Sequence, residues 1–250
     1  MVFLIGGLSF DLLFFVELLL IGFILGELFA LNLTIEKTTL YASGGVLLCG
    51  LIGLIGSSSV SGESIHTIVS QYVSENLELT MVLYQNMGMS EENIQLISNS
   101  LDKIQYVLVR IVPALVVMST VCIVWANILL AKPILKSRSL FYPDFGPLNM
   151  WKAPDFLVWA AIGCGLAVFL PNTTIKMISV NGLLILMIVY FFQGIAIVSY
   201  YFEKKKFPRV IRILLYSLIA LQQIILLAVV GLGFFDLWVN FRKLGKQPSN

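Results

Sequence analysis

The feature that most constrains this chain is a series of apolar runs long enough to cross a bilayer, with the charge gathered in the segments between them. A helix needs about 20 predominantly apolar residues to cross a hydrocarbon layer ~30 Å thick. Six stretches qualify by length and polarity: Phe10 to Leu31, Leu40 to Gly56, Tyr106 to Ala131, Phe156 to Leu170, Met177 to Phe202 and Ile211 to Val230. The fourth is short, bracketed by Pro154 and Pro171, and borrows interfacial residues such as Asp155 and Asn172. In lipid every backbone N–H and C=O needs a partner inside the protein. Helices supply one within a single segment, and no run shows the alternation of a barrel strand. The expected fold class is all-α, a polytopic transmembrane bundle of about six spans in one domain over residues 1–250, with the lipid bilayer as first partner.

Composition closes off other classes. Only 12% of the residues are charged and mean hydropathy is +0.93, against roughly a quarter charged in soluble domains. A soluble enzyme, a nucleic-acid-binding domain and a secreted disulfide scaffold are excluded. A net charge of +2 gives no global field for a polyanionic partner. Cys49, Cys122 and Cys164 each sit inside an apolar run, without disulfide or metal spacing. Met1 to Phe10 has no basic residue, so no signal peptide is read there. The start is abrupt, and further spans are expected upstream.

Lys and Arg placement sets the orientation. Lys37, Lys132, Lys136, Arg138, Lys152, Lys204, Lys205, Lys206, Arg209 and Arg212 follow the first, third and fifth spans, which is ten of the sixteen basic residues. By the positive-inside rule these connections face the cytoplasm. Arg242, Lys243 and Lys246 fall on the opposite side in a six-span count and argue the other way. The Lys204 to Lys206 run is read as cytoplasmic retention charge and lipid-headgroup contact.

The connection 57–105 is the one large extramembrane segment. Ile65, Ile68, Val69, Tyr72, Val73 and Leu77 recur at helical spacing, which predicts an amphipathic helix packed on the bundle. Ser90 followed by Glu91 and Glu92 predicts an N-cap opening a second helix through Ile94, Ile97, Leu101 and Ile104, running on into the third span.

Polar groups inside the apolar runs, with Asp236 just past the sixth, are the candidate ligand-facing residues: Glu17, Arg110, Asn127, Asn181, Gln193 and Asp236. A mid-span carboxylate costs about 3 kcal/mol to insert, which the apolar remainder of the first span offsets, so Glu17 is tolerable there. The functional reading is an ion relay or the counter-charge of a ligand; the plainer one is an acid satisfied by a neighbour. Asp11 and Glu27 lie near the interfaces. The second span holds Gly44, Gly45, Gly50, Gly53 and Gly56, which suits close helix packing or a passage lined by backbone. Gln193 shares a stripe with Gly182 and Val189, so it faces a neighbour or a cavity rather than lipid. Pro113 removes one backbone hydrogen bond near Arg110, and the pair Gln222 and Gln223 lies in the sixth run. Catalytic templates fail in turn: there is no HExxH, GxSxG, P-loop or intramembrane aspartyl-protease motif, and His66, the one histidine, has no second ligand. No enzyme activity, metal or cofactor is expected. Asn32-Leu33-Thr34 and Asn172-Thr173-Thr174 match a glycosylation triplet at chance level.

From the third span onward several runs resemble the YybS-like family of bacterial multi-spanning membrane proteins. They are Ile111-Val112-Pro113-Ala114-Leu115 leading to Asn127, Ala153-Pro154-Asp155-Phe156-Leu157-Val158-Trp159, and Asn181-Gly182-Leu183-Leu184 through Tyr190-Phe191-Phe192-Gln193-Gly194. Phe207-Pro208-Arg209 and the ending Gly233-Phe234-Phe235-Asp236-Leu237-Trp238-Val239-Asn240-Phe241-Arg242 continue the resemblance, which covers about Tyr106 to Lys246. The resemblance implies a bacterial inner-membrane location and further spans ahead of the first. It is distantly similar to the substrate-binding subunits of energy-coupling-factor vitamin transporters, which implies small-molecule binding with energy supplied by other membrane subunits. The leading expectation is a transporter-like, small-molecule-binding subunit. The rival is a non-catalytic scaffold or regulatory subunit for a partner protein.

Overall fold

The computed structural model describes residues 10–242, with side chains from Val16 onward. Among the described residues the regular structure is all helical, in the order α1 (Phe10–Ala30), α2 (Ile35–Ser61), α3 (Ile65–Asn86), α4 (Glu91–Ser98), α5 (Leu101–Ser137), α6 (Phe156–Ala167), α7 (Thr173–Lys204), α8 (Arg209–Leu221) and α9 (Gln223–Val239), plus one 3-10 turn at Leu148–Met150. The all-α class stands. The count of about six spans is not confirmed: among the described residues three helices, α2, α5 and α7, are long and apolar enough to cross a membrane, and α8 with α9 forms one pair bent by 101°. α6 has 12 residues, about 18 Å of helix, and falls short of a bilayer alone. The sixth expected span is interrupted at Gln222, which adopts an extended conformation with φ −101° and ψ 108°.

The chain divides into two compact units, residues 1–144 and 145–250. In the first, α5 runs unbroken for 37 residues through Pro113 and Pro133, and α2 and α3 pack along it. α1 presents Ile21, Leu25 and Phe29 at i, i+4 spacing as its buried stripe, and α2 answers with Ile35, Thr38, Ala42 and Val46. An added Cβ at Gly45 would come 3.0 Å from Ile24 Cδ1, so this glycine marks the α1–α2 approach, whereas Gly44, Gly50, Gly53 and Gly56 meet nothing within 4 Å. Past Val46 the glycine-rich half of α2 contributes no buried residue.

Ser64 caps α3, its hydroxyl accepting from the Thr67 N–H at 3.1 Å, and Ile68 and Val73 bury the helix's inner face. The second outer-loop helix ends earlier than the apolar pattern predicts. α4 stops at Ser98, and Leu101 and Ile104 belong to α5.

The second unit is organised by α7, against which α6 and α9 pack. Val158, Ala161 and Tyr190 form its buried centre, lined by Leu186, Val230, Phe234 and Leu237. The α7–α9 crossing is a backbone-on-backbone contact: a Cβ on Gly194 would overlap the Val229 carbonyl, and one on Gly233 the Tyr190 carbonyl. Only glycine permits so close an approach, and without a hydrophobic drive between helices in lipid such contacts carry the packing.

Candidate functional site

The close crossing brings Gln193 on α7 beside Asp236 on α9. Gln193 Nε2 donates to Asp236 Oδ2 at 3.0 Å, and Gln193 Oε1 accepts from the Ala153 N–H at 3.2 Å. Asp236 lies inside α9 rather than just past the last span, and it is 3% exposed. α9 ends at Asn240, whose left-handed φ of 46° is a conformation asparagine tolerates better than most residues. The chain turns back there, so the Phe241 N–H reaches Asp236 Oδ1 at 3.0 Å and the Arg242 guanidinium reaches Oδ2 at 2.8 Å. Arg242 Nη1 also donates to the carbonyls of Asn149 at 3.0 Å and Trp151 at 2.8 Å. Both charged side chains are withdrawn from solvent, with 0% and 3% of the Arg242 and Asp236 side chains exposed. A buried pair is tolerable only when the remaining lone pairs and protons are also satisfied. Here two backbone carbonyls, one backbone N–H and an amide do most of that. Arg242 Nε, Asn149 Oδ1 and the Tyr190 hydroxyl stay without a protein partner.

This ionic clasp ties three segments to one end of α7. Asn149 Nδ2 donates to Glu203 Oε2 at 2.6 Å, and the Tyr201 hydroxyl donates to the Phe241 carbonyl at 2.7 Å. The entry to α8 is fixed at the same end. Arg212 donates to the carbonyls of Phe207 at 2.9 Å and Phe202 at 3.3 Å, and the Phe202 ring packs edge-on against Phe207 and Tyr216. The bent pair therefore leaves and rejoins the molecule beside the last turn of α7. A straight span would end ~30 Å from where it began, so α8–α9 is a re-entrant V. Arg242, placed on the opposite side by a six-span count, lies beside Tyr201 and Glu203.

At the apex of the V, Leu221, Gln222, Gln223 and Ile224 are all exposed. The last carbonyls of α8 and the first N–H groups of α9 have no partner within their helices. At membrane depth, backbone of this kind is tolerated where it is covered by protein or lines a wet cavity. Two amide side chains stand at the same point, each able to donate and accept.

The other candidates do not join this site. Glu17 is half-buried on the α1 face that carries Ile21 and Leu25, and Glu27 is exposed; Asp11's side chain lies outside the described residues. Asn127 donates to Ile123 O and Asn181 to Met177 O, each at 2.8 Å within its own helix. Arg110 lies over the Tyr106 ring at 3.3 Å and donates to the Tyr106 carbonyl, in an open cleft of about 280 Å³ between α3 and α5 shared with His66, Asp102 and Gln105. On α2, the hydroxyls of Thr38, Thr39 and Ser43 are buried without a protein partner. Among the described residues no group of three or more His, Cys, Asp or Glu could hold a metal, and the three cysteines are free thiols. Sequence reading missed Arg242, which looks like tail charge beside Lys243 and Lys246. The αL-tolerant Asn240 between Asp236 and Arg242 is the signal that the chain doubles back.

A bundle of apolar helices closed by a buried ionic clasp belongs to the class of multi-pass membrane proteins. Residues 1–237 match the family described as "Predicted membrane protein (DUF2232)", and the chain belongs to that family. It is 28% identical over 160 residues to the "Uncharacterized protein YybS" of Bacillus subtilis (strain 168), covering 63% of this chain and 50% of that relative. The chain thus spans about half the length of the curated relative it matches. No solved structure matches it.

Proposed function

We propose that this chain is a non-enzymatic, multi-pass subunit of the bacterial cytoplasmic membrane. It binds a small polar or anionic solute at the α8–α9 break, and other subunits supply any driving energy. The observation that carries this reading is the re-entrant V, whose apex exposes Gln222 and Gln223 between the end of α8 and the start of α9. Discontinuous helices of this kind serve as solute sites in membrane transporters, the N-terminus of the second half-helix facing the ligand's negative group. The clasp fits the same role: it holds the end of α9 at the mouth of the V while Arg212 holds the entry to α8, and the apex is left open to a ligand. Thermal-shift screening of the purified protein against vitamins, nucleobases, amino acids and small organic anions tests it. Concentration-dependent stabilisation that disappears in Gln222→Leu/Gln223→Leu supports the site; stabilisation by no compound, or an unchanged response in that variant, rejects it.

The scaffold reading has its own observation. Gly50, Gly53 and Gly56 leave a face of α2 open to a closely packed helix from another protein. Cross-linking in membranes followed by affinity purification decides it: a recurrent partner lost in Gly53→Leu supports a scaffold, and a chain that purifies alone ends that reading.

A further inference from the structure

We infer that the turn from α7 into α8 is a binding site for an anionic phospholipid, its headgroup held by Lys204, Lys205, Lys206 and Arg209 and its acyl chain laid along the outer face of α8. All four cations are exposed. Glu203, the acid next to them in the chain, accepts from Asn149 Nδ2 at its Oε2, and Lys204 Nζ stands 5.7 Å from the Tyr200 ring centroid. Arg212, the next basic residue, is turned inward onto the carbonyls of Phe202 and Phe207. Among the described residues none of the four outward cations is in an ion pair, so with Glu203 as the one adjacent acid the turn keeps a clear excess of positive charge. It lies directly at the end of α7, a helix long and apolar enough to cross a membrane, at headgroup level.

A free anion would need only the charges. The surface beyond them specifies a lipid. Tyr216 and Ile219 turn α8 toward the molecule, which leaves the opposite stripe of Val210, Leu214 and Leu221 outward at 68%, 64% and 83% exposure. Val210, Leu214 and Leu221 share one face of α8 at i, i+4 and i+11, a face that begins one residue past Arg209, so a headgroup on the basic turn sets an acyl chain at the start of this apolar track. The site is separate from the solute site proposed at the V's apex and holds whether or not that proposal does.

The test uses the full chain in a neutral detergent. Thermal stability and lipid retention, by native mass spectrometry, are read with phosphatidylglycerol, with phosphatidylcholine of the same acyl chains, and with glycerol phosphate as the chainless control. Phosphatidylglycerol alone is expected to stabilise and be retained, and Lys204→Gln/Lys205→Gln/Lys206→Gln/Arg209→Gln is expected to lower that preference roughly ten-fold or more. Equal retention of both lipids, equal stabilisation by glycerol phosphate, or an unchanged preference in the variant overturns the inference. A photoreactive phosphatidylglycerol analogue on the unmodified protein gives a second readout that needs no variant. Cross-links within 204–221 support the site, and cross-links spread elsewhere defeat it.

Discussion

Asp236 is the residue on which the second unit turns, because its two carboxylate oxygens receive Gln193, Phe241 and Arg242 at once. Removing it leaves a guanidinium buried without its counter-charge, so Asp236→Ala is expected to cost about 3–5 kcal/mol, and Arg242→Ala a similar amount. Replacing both partners with apolar residues, as in Asp236→Leu/Arg242→Met, is expected to cost less than Asp236→Leu or Arg242→Met alone; unfolding in detergent of these three variants and the unmodified protein measures the coupling. A double variant whose loss equals the sum of the two single losses would mean the pair acts independently. In the first unit Tyr142 donates to the Ile128 carbonyl at 3.1 Å, and burial raises its phenol above the ordinary value of 10.0. The folded protein therefore holds this proton more tightly than the unfolded chain. That contribution is fully present below pH 10 and is lost as pH rises through the folded-state value. Tyr142→Phe is expected to lose about 1 kcal/mol at neutral pH and to show a smaller alkaline decline than the unmodified protein in parallel melts. Gln193 is legible in the sequence as a polar group in an apolar run, and Asp236 as one just past the last run. Their meeting is not, because 43 residues separate them and neither identity nor spacing encodes a helix crossing.

At the scale of the helices, glycine does two different things. Gly194 and Gly233 face carbonyls of the opposing helix, so an added methyl must push α7 and α9 apart; Gly53 faces open space. Gly194→Ala or Gly233→Ala is expected to destabilise by roughly 2–4 kcal/mol through lost packing. Gly53→Ala is expected to be neutral or to gain up to about 1 kcal/mol from helix propensity. Melting the three variants side by side checks the contrast, and equal losses would refute the assigned crossing. Sequence reading counts glycines but cannot say which meet a neighbour; it singled out α2, whereas the tightest contact lies between α7 and α9. Helix positions are legible because apolar periodicity and caps such as Ser64 are local properties. The break at Gln222 is not, since glutamine is an ordinary helix former and no proline or glycine marks the site. The bend is held by contacts at the two ends of the V, made by residues remote in sequence.

For the molecule in its membrane, the re-entrant V changes the charge count. With Arg242 beside Tyr201 and Glu203, the basic residues Lys204, Lys205, Lys206, Arg209, Arg212 and Arg242 all gather at one end of α7, and Lys176 lies at the other. The conflict between a basic C-terminal segment and the positive-inside rule disappears, because α8–α9 brings the chain back to the face it left. Parity is testable with single cysteines introduced after replacing Cys49, Cys122 and Cys164. Lys205→Cys and Val239→Cys, at two exposed positions, are expected to react with an impermeant maleimide from the same side, and in inside-out vesicles rather than intact spheroplasts. A straight sixth span would place them on opposite faces, so labelling from opposite sides would reject the V, the orientation and the continuity of the clasp together. Labelling of both from the outside would keep the V and reverse the orientation, separating a claim that rests on hydrogen bonds from one that rests on charge.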